Sequence, residues 1–118
     1  MSNFLSREID TTCTISRMSQ IVILGHFDIH PEDMTAAAEL MRVMMNETVK
    51  EPGCHHYAYS RDLSTPDRCQ LSELWENDDA LASHFRAPHM ATYRAGMAKL
   101  RVLKRIVQRY DATNAQPL

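Results

Sequence analysis

Three glycines, three cysteines, one tryptophan and an aromatic share of 7% in 118 residues leave this chain poor in the residues that define several protein classes. So little glycine excludes a collagen-like or low-complexity chain. Cys13, Cys54 and Cys69 are an odd set, with 40 and 14 residues between neighbours, which fits neither a disulfide framework nor a zinc-ligand pattern. They are read as reduced thiols filling small apolar spaces, with no catalytic role. The longest aliphatic run, Ile21-Val22-Ile23-Leu24, is far below the roughly 18 residues that suggest a spanning helix. The first residues lack the apolar stretch of a signal peptide, which points to a cytoplasmic protein. A net charge of −2 argues for neither a nucleic-acid binder nor a polybasic membrane anchor.

What is present is enough for one compact domain: 44% of the residues are hydrophobic and 24% charged. A chain of this size hides roughly two thirds of its unfolded surface, so it needs no disulfide or metal staple. The charge is unevenly spread. Gln20 to Asp79 holds twelve acids and four bases, 4 − 12 = −8, whereas Ala80 to Tyr110 holds seven bases and no acid. Beyond ordinary solvated surface, such a positive field suits an anionic ligand or the acidic part of another subunit.

Residues 1–19 are polar, rich in Ser and Thr and without periodicity, and read as an arm outside the main domain at 20–110; residues 111–118 read as a polar tail. Gln20 to His30 is β-branched and closed by Pro31, a strand with Ile21, Ile23, Phe27 and Ile29 on one face and His26 on the other. Pro31-Glu32-Asp33 opens a helix whose stripe is Met34, Ala37, Ala38, Met41, Met45 and Val49, widened by Leu40 and Met44 and stopped at Pro52-Gly53. His55–Asp62 and Cys69–Glu76 alternate as a hairpin. Asn77 caps a short helix to Phe85, Pro88 begins another to about Lys99, and Leu100 to Tyr110 is a basic strand. The order βαββααβ is ferredoxin-like and α+β, with an antiparallel sheet covered by helices on one face. Trp75, the tyrosines and the histidines are expected on the other face, where a second copy would cover them.

The run Glu51-Pro52-Gly53-Cys54, then Glu73-Leu74-Trp75-Glu76, Ala80-Leu81 with His84, and Pro88-His89 resembles the antibiotic biosynthesis monooxygenase domain from about Ile21 to Tyr110. The resemblance implies a homodimeric α/β barrel with a substrate cavity in each protomer. It also implies oxidation of a small quinol-like or polyphenolic molecule by molecular oxygen, with no cofactor. In such chemistry the substrate is its own reductant, and the protein supplies a dry cavity, a base and hydrogen-bond donors. A non-catalytic or isomerising ligand-binding dimer is the alternative, because Leu71 and Leu81 stand near positions where polyketide-oxidising members carry asparagine and tyrosine. Haem degradation, a third activity of this fold, is disfavoured by the lack of asparagine between Gln20 and His30.

Trp75 matches the family's strand tryptophan, so the resemblance makes it a catalytic cavity residue whose indole N–H donates to substrate, or else a core residue. His84 is read as the proton acceptor or as an exposed helix histidine. Tyr57 and Tyr59 share a strand face and either orient a phenol or pack between subunits. His26 reaches the cavity from the first strand or is a structural, hydrogen-bonded histidine. Glu73 is a cavity acid or the partner of a strand arginine, and Arg94 holds an anionic substrate or sits in solvent.

Overall fold

The computed structural model describes residues 20–118, so the arm read over residues 1–19, with Cys13, lies outside the described residues. Four strands, β1 (Gln20–Ile29), β2 (Cys54–Arg61), β3 (Arg68–Trp75) and β4 (Val102–Ala112), alternate with three helices, α1 (Met34–Thr48), α2 (Asp78–Phe85) and α3 (Pro88–Met97). The strands lie in the order β2-β3-β1-β4 and every neighbour is antiparallel. This is the expected ferredoxin-like βαββααβ fold of the α+β class. Among the described residues, no helix is long and apolar enough to cross a membrane.

Local chemistry sets the element ends. Pro31–Asp33 forms a 3-10 turn, with His30 Nδ1 accepting the Glu32 backbone N–H at 3.1 Å. Asp33 then turns away from a capping role to take the Arg101 backbone N–H at 2.7 Å and its Nε–H at 3.0 Å, and α1 proper starts at Met34. Its buried stripe is Met34, Ala37, Met41, Met44 and Thr48. Val49, expected within the stripe, is exposed at the helix end, because the spacing of three and four from Met44 falls on Thr48. Asn77 caps α2 through its side-chain oxygen, which accepts the Ala80 N–H at 2.9 Å.

The sheet's two faces are divided by register. Trp75 pairs with Ile21, Glu73 with Ile23, Leu71 with Gly25 and Cys69 with Phe27. These residues therefore share the apolar face of β1, and the helices cover it. Tyr57 and Tyr59 join them through their pairing with Glu73 and Leu71. This corrects the expectation that Trp75 and the tyrosines occupy the uncovered face: a strand residue takes the face of its cross-strand partner, and Trp75 faces the core. The uncovered face carries Val22, Leu24 and His26, with Leu74 and His56 on one side and Ile106 and Tyr110 on the other.

Gly25 allows β1 and β4 to approach on the core face. A Cβ there would lie 2.2 Å from the Ile106 carbonyl oxygen and 2.7 Å from the Val107 Cα, both backbone atoms with little freedom to yield. Gly25→Ala is expected to lose about 1–3 kcal/mol, the usual cost of overpacking, measured as a lower urea midpoint with unchanged slope. An unchanged midpoint would show that β4 can withdraw at no cost.

Candidate functional site

Between the sheet and the two C-terminal helices lies a cavity of about 550 Å³. Its body is apolar, walled by residues such as Ile23, Leu71, Met90, Met97 and Val107. Polar groups enter this wall at a few places: Tyr57, Tyr59, Glu73, His84, Tyr93 and Arg94, with Arg105 from β4. A concave, mostly apolar space with few convergent polar groups is the usual form of a small-molecule site.

Three hydroxyls are linked along one side. Tyr59 Oη donates to Tyr93 Oη at 2.9 Å, and the hydroxyls of Tyr57 and Tyr59 are 3.3 Å apart. Burial pushes all three phenols above their ordinary pKa, so they serve as neutral hydrogen-bond groups. Tyr93 is a wall residue that sequence reasoning missed. Its signal was present in the three- and four-residue steps Met90, Tyr93, Met97 along α3.

Glu73 is a cavity acid and pairs with no arginine among the described residues. It is 7% exposed, and its Oε1 accepts the Trp75 Nε1–H at 2.7 Å. Burial pushes its carboxyl up to about 7, against the lowering effect of the indole hydrogen bond. Trp75 itself is fully buried and stands behind the wall rather than in it. Its N–H, expected to face a substrate, is already engaged by Glu73.

His84 is 1% exposed, so it is no solvent-facing helix histidine. Its ring lies between Trp75, at 4.8 Å between centroids, and Tyr57, at 5.4 Å. Burial lowers its pKa, and this outweighs the raising effect of Glu51. Glu51 Oε2 lies 2.9 Å from His84 Nδ1 and 2.5 Å from His89 Nε2. The three donor atoms of Glu51, His84 and His89 gather within 4.8 Å, as they would around a divalent ion, yet each already has a partner within the group. Gly53, at φ +82°, makes the turn that carries Glu51 to this position, and its carbonyl accepts the Glu76 N–H at 2.8 Å.

Arg94 lies on the wall, with Nη1 donating weakly to the Phe85 carbonyl at 3.4 Å. His26 does not join the group. It projects from the opposite face of β1, paired with Gln70 and Ile106, and its buried Nε2 has no partner among the described residues. The side-chain alternation of a strand makes its separation from the cavity unavoidable. The structure thus brings together Tyr57, Tyr59, Glu73, His84 and Arg94, sets Trp75 directly behind them, and leaves His26 apart.

Known proteins share this architecture. A Deinococcus radiodurans structure, provisionally named an antibiotic biosynthesis monooxygenase, superposes with a TM-score of 0.77 at 24% identity, covering 83% of this chain and 97% of that one. A conserved protein from Methanosarcina mazei gives a TM-score of 0.76 at 21% identity, covering 84% of this chain and 98% of its own. An uncharacterized Synechocystis protein is 28% identical over 69 residues, 58% of this chain and 47% of that protein, so this chain spans about half the length of that curated relative. These structural likenesses establish the fold. Residues 20–96 match the family described as antibiotic biosynthesis monooxygenase, and the chain belongs to that family.

Proposed function

We propose that this protein is a cofactor-independent monooxygenase that oxidises a small quinol-like or polyphenolic molecule with molecular oxygen. One observation carries the reading: two titratable groups on a single apolar cavity are pushed in opposite directions, the His84 imidazole down and the Glu73 carboxyl up to about 7. Opposed shifts of this kind keep a neutral base and a protonated acid together near neutrality.

His84 takes the phenolic proton. The phenolate passes an electron to oxygen, and the resulting pair combines as a peroxide on a ring carbon. Protonated Glu73 and the tyrosine hydroxyls donate hydrogen bonds to the developing oxyanion and peroxide. The ring carbon bearing the peroxide gives up its hydrogen as a proton, its C–H electrons form the new C=O as the O–O bond breaks, and the departing oxygen takes up that proton and the one held by His84 to leave as water, with a quinone carbonyl behind it. Phenol and oxygen become quinone and water, with one oxygen atom retained in the product and both hydrogens of the water drawn from substrate. Trp75 contributes from behind, as the face against which His84 packs and the donor that orients Glu73. Arg94 suits a substrate already carrying negative charge.

Ligand binding without turnover is the second reading, favoured by the apolar Leu71 on the cavity wall. It predicts a rise in melting temperature with ligand and no oxygen uptake.

The partner proposed is a second copy of the chain. Leu24, Ile106 and Tyr110 are exposed on the sheet face that no helix among the described residues covers, an apolar surface of the kind that associates. The protein is expected to sediment at about 27 kDa, twice 13.5 kDa, and Leu24→Asp with Ile106→Asp to return it to the monomer. A wild-type monomer at micromolar concentration would refute this.

The catalytic reading is tested by oxygen uptake over a panel of quinols without added flavin, metal or nicotinamide. The expected profile of kcat/KM against pH falls on the acid side as His84 takes a proton, below the ordinary histidine range, and on the alkaline side as Glu73 loses one near pH 7. His84→Ala should cost about 10²–10⁴-fold and remove the acid limb. Glu73→Gln keeps a hydrogen-bond donor and should abolish the alkaline limb with the smaller loss in rate. No uptake by the wild type, or a profile indifferent to both substitutions, would sink the proposal.

A further inference from the structure

The reading of His84 as base leaves unexplained how the ring presents a lone pair, rather than a proton, to the cavity. A neutral histidine in water divides its proton between two nitrogens, and only one tautomer is a base toward a given side. Near His84, the groups that face the ring are Tyr57 of β2, Trp75 of β3, Phe85 of α2, Glu51 of the turn before β2, and His89 and Arg94 of α3. Of these, only Glu51 makes a hydrogen bond to it.

We propose that Glu51 is a positioning residue that fixes His84 as its Nδ1–H tautomer, so that the Nε2 lone pair is turned to the cavity, with His89 holding the carboxylate in place. This rests on the reading of His84 as the base. The geometry supplies the reason. A carboxylate oxygen accepts and cannot donate, so Glu51 Oε2 requires a proton on His84 Nδ1 at 2.9 Å and on His89 Nε2 at 2.5 Å. Among the described residues, Nε2 of His84 makes no hydrogen bond, yet it is not among the buried polar atoms lacking a partner, and the ring lines the cavity. The carboxylate side chain is only 13% exposed and that of His89 18%, so water competes little for either bond. Two donors on one oxygen give the acid a single orientation. Trp75 and Tyr57 then restrain the imidazole from its flanks.

The sequence places these residues far apart. His84 is 33 residues from Glu51 and His89 is 38. They meet because Asn77 starts α2 immediately after β3, while Gly53 turns the chain immediately before β2.

The test is the ¹⁵N spectrum of the His84 ring in ligand-free protein, read beside steady-state oxygen uptake. The wild type is expected to show a protonated Nδ1 and an unprotonated Nε2. In Glu51→Leu the proton should move to Nε2, and kcat should fall about 10²–10⁴-fold, the contribution of a positioned base, with little change in KM. Glu51→Gln offers a carbonyl oxygen to the same two donors and should retain both the tautomer and most of kcat. His89→Leu, which leaves the Glu51–His84 bond, should keep the tautomer and guards against a Glu51→Leu variant that fails to fold. A wild-type Nε2–H tautomer, ring shifts unchanged in Glu51→Leu, or stoichiometric zinc binding that strips the Nδ1 proton would overturn the proposal. The expected tautomers with no oxygenase activity would leave this inference standing and remove only the reading of the reaction.

Discussion

The bond from the Trp75 indole to the Glu73 carboxyl is the point on which the site depends. Both side chains leave β3 on the same face, two residues apart, and both are sealed by helices. The indole gains by burying its large apolar body, but its N–H then needs an acceptor. Glu73 is that acceptor, and through it a carboxyl is drawn into an apolar wall where ionisation is expensive. The same indole supplies one flank of His84. One residue, by satisfying its own hydrogen-bond requirement, therefore orients a carboxyl and restrains an imidazole.

Much of this architecture was legible before any coordinates. The β-branched run at Ile21–Ile23, the hairpin about Pro66-Asp67, the cap at Asn77 and the proline at the start of α3 are local signals, and local signals specify elements. The side on which Trp75 would fall was not legible in the same way. Alternation divides a strand into two faces without saying which one meets the helices, and only the pairing Trp75↔Ile21 decides it. For His26, the alternation already set it opposite Ile23 and Phe27, so a cavity shared with residues of that other face required a reach the backbone forbids. Glu51 stands in the run that resembles the family, but its partners lie more than thirty residues away and leave no periodic trace.

The uneven charge along the chain is partly resolved within the fold. Arg101 pairs with Asp33 and Glu32, and Arg109 with Asp78 and its neighbour Asp111, so two of the seven bases between Ala80 and Tyr110 meet acids, three of those four acids from earlier in the chain. Such exposed pairs add little stability individually, yet they disfavour other registers of β4. Arg105 instead lies 5.7 Å from the centre of the Phe27 ring and, with Arg94, forms part of the cavity wall. Arg94 and Arg105 thus leave positive charge on the cavity wall itself.

Strand β4 gives this arrangement a further property. Val102, Arg105 and Val107 form cavity wall, while Ile106 and Tyr110 alternate with them onto the uncovered face of the sheet. Gly25 holds this strand close against β1, with no side chain between the two backbones. A single layer of peptide therefore separates whatever fills the cavity from whatever rests on the sheet. If contents on one side shift β4 by even a fraction of an ångström, the surface on the other side shifts with it, and by reciprocity each occupant changes the affinity of the other by the same factor. The strand that looks like an edge is the membrane of a drum, and it can be struck from either side.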